Sequence, residues 1–485
     1  MLICAVFPAW RAVGLAVLLA TSSLALADAL PSPEQIKHGE YLARAADCIA
    51  CHSVPHSNKP FAGGYGIASP LGTIYSSNIT PSVNGGIGDY TLADFDNALR
   101  KGIRKDGAHL YPAMPYTSYA KMTSDDVAAL YAYLMHGVAP VDGAARKTRL
   151  PFPFNIRLSM AMWNGLFLDP KPLETDSAKS AEWNRGRYLV DALEHCSACH
   201  TPRNVFMAEK QGAAFAGGQL GAWYAPNITS DAASGIGGWS DAELMQYLKS
   251  GHVPRKAAAA GPMAEAVSNS LSYLTDTDLQ AIATYLKTIN PVRDGNDIKP
   301  AFAWGSPAND DATLRGTSGV TQSSKPTSAA ELFSANCASC HQTTGSGTSD
   351  GAYPSLSNNT TLGHANASNL IAAILYGVDR PLPDGRHAFM PGFGPNSLVN
   401  PLSDTDIAAL ANYTLRQFGN AAVQVTAGDV TTARKGGEPP LLAKVPKILP
   451  IVLVVIALLL VLAIWRGMRR RRLRVIRATP APHAS

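Results

Sequence analysis

Three stretches of the chain share one pattern of polar and apolar positions. Each opens with Thr or Ser, carries an acidic residue three positions later, and continues with apolar residues at helical spacing up to a tyrosine. They are Met122-Thr123-Ser124-Asp125-Asp126-Val127 leading to Tyr133, Leu274-Thr275-Asp276-Thr277-Asp278-Leu279 leading to Tyr285, and Leu402-Ser403-Asp404-Thr405-Asp406-Ile407 leading to Tyr413. A hydroxyl at the N-cap and a carboxylate in the first turn both favour a helix start. The spacing predicts three amphipathic helices that pack, tyrosines included, on the helix opening each repeat. Strand-like alternation is scarce, so the fold class is mainly α.

The repeats extend upstream. Asn78-Ile79-Thr80 is followed by Gly86-Ile87-Gly88-Asp89-Tyr90, and Asn227-Ile228-Thr229 by Gly235-Ile236-Gly237-Gly238-Trp239. Eight positions separate Asn from Gly in both, and 28 more lead to Met114 and Met263. The third unit is shorter and lacks the Asn-Ile-Thr block, but offers Phe389-Met390-Pro391-Gly392. Gly102, Gly251 and Gly377 precede the three methionines at nearly equal distances.

Both ends depart from this pattern. Residues 1–27 carry Arg11, an apolar run and Ala25-Leu26-Ala27, which reads as a secretory signal removed before Asp28. Near the other end, 18 uncharged residues from Ile448 to Trp465 reach the length needed to span a bilayer. Seven arginines follow, from Arg466 to Arg477. The positive-inside rule places this tail in the cytoplasm and the rest of the chain outside. Those arginines and Arg11 exceed the whole formal charge of +5, so residues 28–465 are net negative. A net-negative exported body is no nucleic-acid binder.

Of the seven cysteines, Cys4 lies in the signal. The others form Cys48-Ile49-Ala50-Cys51-His52, Cys196-Ser197-Ala198-Cys199-His200 and Cys337-Ala338-Ser339-Cys340-His341. C-x-x-C-H is the attachment signature of c-type haem, with two thiols as thioether donors and the histidine as iron ligand. Structural disulfides would not require a histidine after every pair. A zinc ribbon would want a second pair close by, whereas these pairs lie 148 and 141 residues apart. A thioredoxin-type motif would need a βαβ setting that the pattern lacks.

Three covalent haem c groups are therefore expected, on Cys48/Cys51, Cys196/Cys199 and Cys337/Cys340, with His52, His200 and His341 on the irons. An electron-transfer iron takes a sixth ligand, and a thioether raises its potential. Met114, Met263 and Met390 fill that role best, in Pro- and Gly-rich loops that hold the sulfur without helix geometry. His109, His252 and His387 lie nearby but share no repeat column. Core filling is the competing role for the methionines.

Ser77-Asn78-Ile79-Thr80-Pro81, Tyr111-Pro112-Ala113-Met114-Pro115-Tyr116, His200-Thr201-Pro202-Arg203-Asn204, Gly261-Pro262-Met263 and Tyr376-Gly377-Val378-Asp379-Arg380 carry a family resemblance. The chain resembles, over about residues 35–425, the triheme cytochrome c subunit of membrane-bound sugar and alcohol dehydrogenases. The likeness is strongest to the subunits of flavin-dependent fructose, sorbitol and gluconate dehydrogenases. The resemblance fits the division that the repeats, connectors and ends give: three tandem cytochrome c domains at 28–145, 183–295 and 327–425, with a signal at 1–27, a connector at 146–182 and a linker at 296–326. A juxtamembrane segment at 426–447, a transmembrane helix at 448–465 and a basic cytoplasmic tail at 466–485 complete the division.

It implies also a separate catalytic subunit, a GMC-type flavoprotein with FAD in preference to a quinoprotein with pyrroloquinoline quinone. Electrons would pass from it through three haems to ubiquinone, on the periplasmic side of a bacterial inner membrane. The alternatives are the cytochrome subunit of a quinoprotein alcohol dehydrogenase and a free-standing anchored electron carrier. The chain has no G-x-G-x-x-G after a strand and shows no substrate-oxidising site of its own.

Overall fold

The computed structural model describes residues 30–308, 328–349, 351–382, 385, 387–446, 448, 450, 455, 456, 458–466 and 468. The signal at 1–27, much of the linker at 296–326, part of the span at 448–465 and nearly all of the tail lie outside them. Among the described residues, no helix is long and apolar enough to cross a membrane.

The first unit contains α1 (Pro33–Ala45), α2 (Cys48–His52), α3 (Leu92–Lys101), α4 (Tyr116–Tyr119) and α5 (Ser124–His136). A connector helix, α6 (Ser159–Phe167), leads to α7 (Ala181–Tyr188), α8 (Ser197–His200), α9 (Asp241–Ser250), α10 (Gly261–Asn269) and α11 (Asp276–Leu286). The third unit holds α12 (Ala329–Asn336), α13 (Ala338–His341), α14 (Thr360–Gly363), α15 (Ser368–Tyr376), α16 (Asp404–Phe418) and α17 (Ala427–Arg434). The strands are short and pair as antiparallel hairpins: β1 (Gly66–Ser69) with β2 (Gly72–Tyr75), β3 (Gly218–Leu220) with β4 (Trp223–Ala225), β5 (His252–Val253) with β6 (Ala257–Ala258), and β7 (Val378–Pro381) with β8 (His387–Met390). The fold is mainly helical, as the pattern implies.

The three expected caps form. Thr123, Thr275 and Ser403 accept from the backbone N–H of Asp126, Asp278 and Asp406 at 3.2, 3.2 and 3.1 Å. The helices they open pack as expected, α5 on α1, α11 on α7 and α16 on α12. Glycine makes the first two crossings close. A Cβ on Gly39 would sit 2.0 Å from the Ala129 carbonyl oxygen, and one on Gly186 1.9 Å from that of Ala281. The third crossing is filled instead by Phe333 against Tyr413, with ring centroids 5.4 Å apart.

The stretch between each attachment motif and its methionine is not the bare loop that was expected. It contains a further helix, α3, α9 or α15, ending at Gly102, Gly251 or Gly377, each with positive φ (63°, 70° and 76°). The capping boxes Thr91/Asp94 and Ser240/Glu243 start the first two of these helices. Gly102 and Gly251 end their helices in the left-handed conformation, while Gly377 joins its positive φ to an extended ψ.

One continuous core runs through the first two units, from Leu42 to Leu286. The third unit has its own core, into which the second contributes Ala222 and Trp223. The seam between the first two units is reciprocal. Tyr41 of the first donates to Asp278 of the second at 2.6 Å, and Tyr188 of the second donates to Asp126 of the first at 2.6 Å. Arg185 backs Asp278 through two hydrogen bonds of 2.8 and 2.7 Å, and His38 backs Asp126 at 2.8 Å.

Candidate haem sites

Each C-x-x-C-H motif forms a short helical turn, α2, α8 or α13, entered after a helix of its unit. The entry to the first two bends through a left-handed residue, Asp47 (φ 48°) or His195 (φ 40°). Cysteines three apart on one turn then lie on one face, with the histidine next in line. None of the six cysteines is joined to another in a disulfide, and all are half-buried. Burial pushes Cys48 up to about 12, Cys51 to about 11 and Cys337 to about 12. Among the described residues, no group of three or more His, Cys, Asp or Glu side chains is placed to hold a metal ion.

The three histidines are oriented identically. His52 Nδ1 lies 2.7 Å from the Ser77 carbonyl, His200 Nδ1 2.6 Å from that of Pro226, and His341 Nδ1 3.0 Å from that of Pro354. A carbonyl only accepts, so Nδ1 carries the proton and Nε2 keeps its lone pair, the tautomer an iron needs. Burial lowers all three histidine pKa values, partly offset by these bonds, which keeps the rings neutral.

The repeated Asn-Ile-Thr block holds the acceptor in place. Ser77 and Pro226 immediately precede Asn78 and Asn227. Asn78 Nδ2 donates to the Val141 carbonyl at 2.8 Å, and its Oδ1 accepts from Thr80 N and Oγ1 at 2.9 and 2.8 Å. Asn227 repeats this with Val292 at 2.7 Å and Thr229 at 2.8 and 2.7 Å. The third unit lacks the block, and Asn359 there donates to the Ser355 carbonyl, next to Pro354, at 2.9 Å.

A second brace went unseen in the sequence. The histidine carbonyls accept from the N–H of Gly63, Gly217 and Gly347 at 2.7, 2.8 and 3.0 Å, and each glycine has positive φ. A Cβ on Gly63 would come 2.3 Å from the Ser77 backbone carbon, and one on Gly347 2.3 Å from the Tyr353 carbonyl oxygen. The only sequence sign of this brace is a glycine 11, 17 or 6 positions after the histidine, a spacing too irregular to mark it.

The methionines stand in three different settings. Met114 is in a turn before α4, and its carbonyl accepts from Tyr116 N at 2.8 Å. Met263 is in the first turn of α10, where Pro262 favours a helix start over the loop that was expected. Met390 ends strand β8 opposite Val378, so it too is held by regular backbone. All three are half-buried. Met114 and Met263 pack against the core shared by the first two units, as Cys48 and Cys196 do, and Met390 packs against the third core, as Cys337 does. Of the nearby histidines, His387 is exposed and tied to Asp379 at 2.5 Å. His252 lies in β5, and His109 keeps a buried Nδ1 without a partner.

The connector braces the first methionine turn. Tyr111 donates to the Phe154 carbonyl at 2.8 Å, Arg157 to that of His109 at 2.7 Å, and Tyr116 to Asn164 at 2.8 Å. Helix α10 is the element shared between units. It touches the attachment turn α2 of the first unit, α9 and β4 of its own, and β7 of the third.

Unbridged cysteine pairs on one turn and a neutral imidazole fixed through Nδ1 fit a covalently attached haem, which would supply a one-electron iron couple. The cytochrome c family profile matches residues 36–137, 184–290 and 327–417. The fructose dehydrogenase cytochrome subunit of Gluconobacter japonicus is 48% identical over 449 residues, covering 90% of this chain and 92% of that protein. The gluconate 2-dehydrogenase cytochrome c subunit of Pantoea cypripedii is 39% identical, covering 87% and 94%. The cytochrome c subunit of the quinone-type alcohol dehydrogenase of Gluconobacter oxydans is 38% identical, covering 83% of each chain. With three attachment turns built alike and matching relatives over nearly its whole length, the chain belongs to the cytochrome c family, among the three-domain cytochrome subunits of dehydrogenases.

Proposed function

We infer that the protein is the electron-transfer subunit of a membrane-bound dehydrogenase complex, taking electrons from a catalytic subunit and delivering them through three haems to ubiquinone. The observation that carries this reading is the position of α10. The helix bearing Met263 touches both the first attachment turn and strand β7 of the Met390 hairpin. Three centres built on these elements adjoin in series within one chain.

Met114, Met263 and Met390 are the sixth ligands in this reading, supported by their packing against the same cores as the attachment cysteines. The catalytic partner is a GMC-type flavoprotein oxidising a sugar or sugar acid, in line with the fructose and gluconate relatives. The alcohol dehydrogenase relative supports a second reading, with a quinoprotein as partner. Residues 448–465 anchor the chain. Leu458, Leu459, Val461 and Ile464 are all exposed, as suits a segment whose apolar surface meets lipid. The seven arginines beyond it place the haem domains on the periplasmic side.

The test is purification of the detergent-solubilised native protein from membranes. A stoichiometric flavoprotein whose substrate reduces all three haems is the expected result. A quinoprotein in its place would select the second reading, and a protein recovered alone from every detergent would reject the complex.

A further inference from the structure

Arg380 lies in strand β7 of the third unit, yet its guanidinium enters the second. Nη1 donates to the Ser250 carbonyl, and the side chain lies against Gly251. A Cβ on Gly251 would meet Nη1 at 3.0 Å and Cδ at 3.1 Å, so the glycine leaves the room that the arginine occupies. Tyr247 and His252 are its other polar neighbours. The residue is 3% exposed, and its Nε is buried with no partner.

No carboxylate among the described residues pairs with Arg380, whereas Lys256, the other buried cation among them, has Glu243 at 2.7 Å. The half-buried Arg185 has Asp278 at 2.7 Å. A buried guanidinium stays protonated, and without a counter-charge it is strongly disfavoured. The missing anion must therefore come from something other than these side chains. The haem expected in this unit carries carboxylate groups. Tyr247 sits in α9, the helix that ends at Gly251 and touches α10, and β7 also lies on α10, the helix that carries Met263.

The first unit shows the contrast. Its equivalent of Gly251 is Gly102, another helix-ending glycine of positive φ, and there the space is filled by the neutral ring of Tyr116. The two units share a scaffold but differ at this point by one positive charge.

We propose that Arg380 is the counter-ion of a propionate on the haem held by Cys196, Cys199 and His200, and that its charge raises that haem's potential. Reduction removes one positive charge from the iron, so a fixed cation nearby favours the reduced form. The third unit thus tunes the second centre. This inference rests on the three-haem reading but not on the identity of the dehydrogenase partner.

The experiment is a mediated spectroelectrochemical titration of the intact detergent-solubilised protein with Arg380→Met and Arg380→Lys. Met263→His serves to mark which wave belongs to the second haem. With three haems still bound, Arg380→Met should shift that haem's reduced-to-oxidised ratio at fixed potential about tenfold toward oxidised, about 59 mV for one electron. Arg380→Lys should restore most of it. An unchanged second wave, or a shift confined to the haem on Cys337 and Cys340, overturns the proposal. Loss of a haem wave in the unmodified protein would instead refute the three-haem reading. An experimental map of the wild-type protein gives an independent check should both variants fail to fold. A propionate of the second haem within salt-bridge distance of Arg380 supports the proposal, and a guanidinium with none beside it overturns it.

Discussion

The Tyr41 hydroxyl donates to Asp278 across 237 positions of chain, at 2.6 Å. Its mirror contact joins Tyr188 to Asp126 at the same distance. Both carboxylates sit three residues past an N-cap, where Asp406 of the third unit closes a complete capping box. In the first two units the side chain turns outward to the neighbouring unit instead, and the cap keeps its hydroxyl half alone. Tyr41→Phe and Tyr188→Phe should each cost about 1 kcal/mol, and together about twice that. Hydrogen exchange at the seam between α5 and α11 would register the loss, and protection unchanged in the double variant would refute the clasp.

Acid should open the same seam. Burial on its own would raise Asp278, but hydrogen bonds from Arg185 and Tyr41 overcome it and hold the carboxyl below its usual range. A folded-state value below the unfolded one gives stability that is complete above the unfolded pKa and lost as pH falls through the folded one. The seam should hold at neutral pH and weaken below about pH 4. Small-angle scattering against pH, compared with an Asp278→Asn variant, would show it. An equal acid transition in both proteins would remove Asp278 from the account.

The Asn-Ile-Thr clamp should be worth more than a surface contact. Asn227→Ala leaves the Thr229 N–H and the Val292 carbonyl without their partner in a buried site, a loss of about 1–3 kcal/mol. Because Pro226 supplies the His200 acceptor, the second haem should also become the first to lose its low-spin signature on warming. Thermal melting followed at the haem bands checks both effects.

Gly63→Ala, Gly217→Ala and Gly347→Ala each put a methyl group where backbone or a tyrosine hydroxyl already stands within 2.4 Å, at a φ that L-residues avoid. Strain alone is about 1–3 kcal/mol. Each variant should mature with fewer than three haems, counted per chain after denaturation. A full complement in all three would show that the glycines are incidental.

Replacement of Met114, Met263 or Met390 by Ala should lower one haem's potential and give a high-spin ferric signal for that haem alone, since a thioether raises the potential of the iron it holds. A redox titration and electron paramagnetic resonance spectrum indistinguishable from wild type would disqualify the residue concerned.

Much of this was legible in the sequence because it depends on side chains at fixed short spacing. The C-x-x-C-H turns and the Thr123, Thr275 and Ser403 caps are of that kind. What remained hidden depends on backbone atoms or on distant chain. The acceptors for His52, His200 and His341 are carbonyls, which no residue type announces, although the Asn-Ile-Thr repeat marked their location. Helices α3 and α9 carry their own start signals, the Thr91/Asp94 and Ser240/Glu243 boxes, beside the more conspicuous glycines that end them. The reach of Arg380 into the second unit spans 130 positions, and no local pattern could show it.

The reciprocal seam has a kinetic consequence. Two reciprocal contacts, each from a tyrosine of one unit to a carboxylate of the other, hold the seam at neutral pH, so the first two units behave there as docked partners. Encounter between them needs no diffusion, and the effective concentration of one for the other is set by geometry instead of abundance. Hand-over between their centres should therefore follow first-order kinetics, indifferent to dilution and, with the Tyr-Asp contacts largely shielded from solvent, only weakly sensitive to salt.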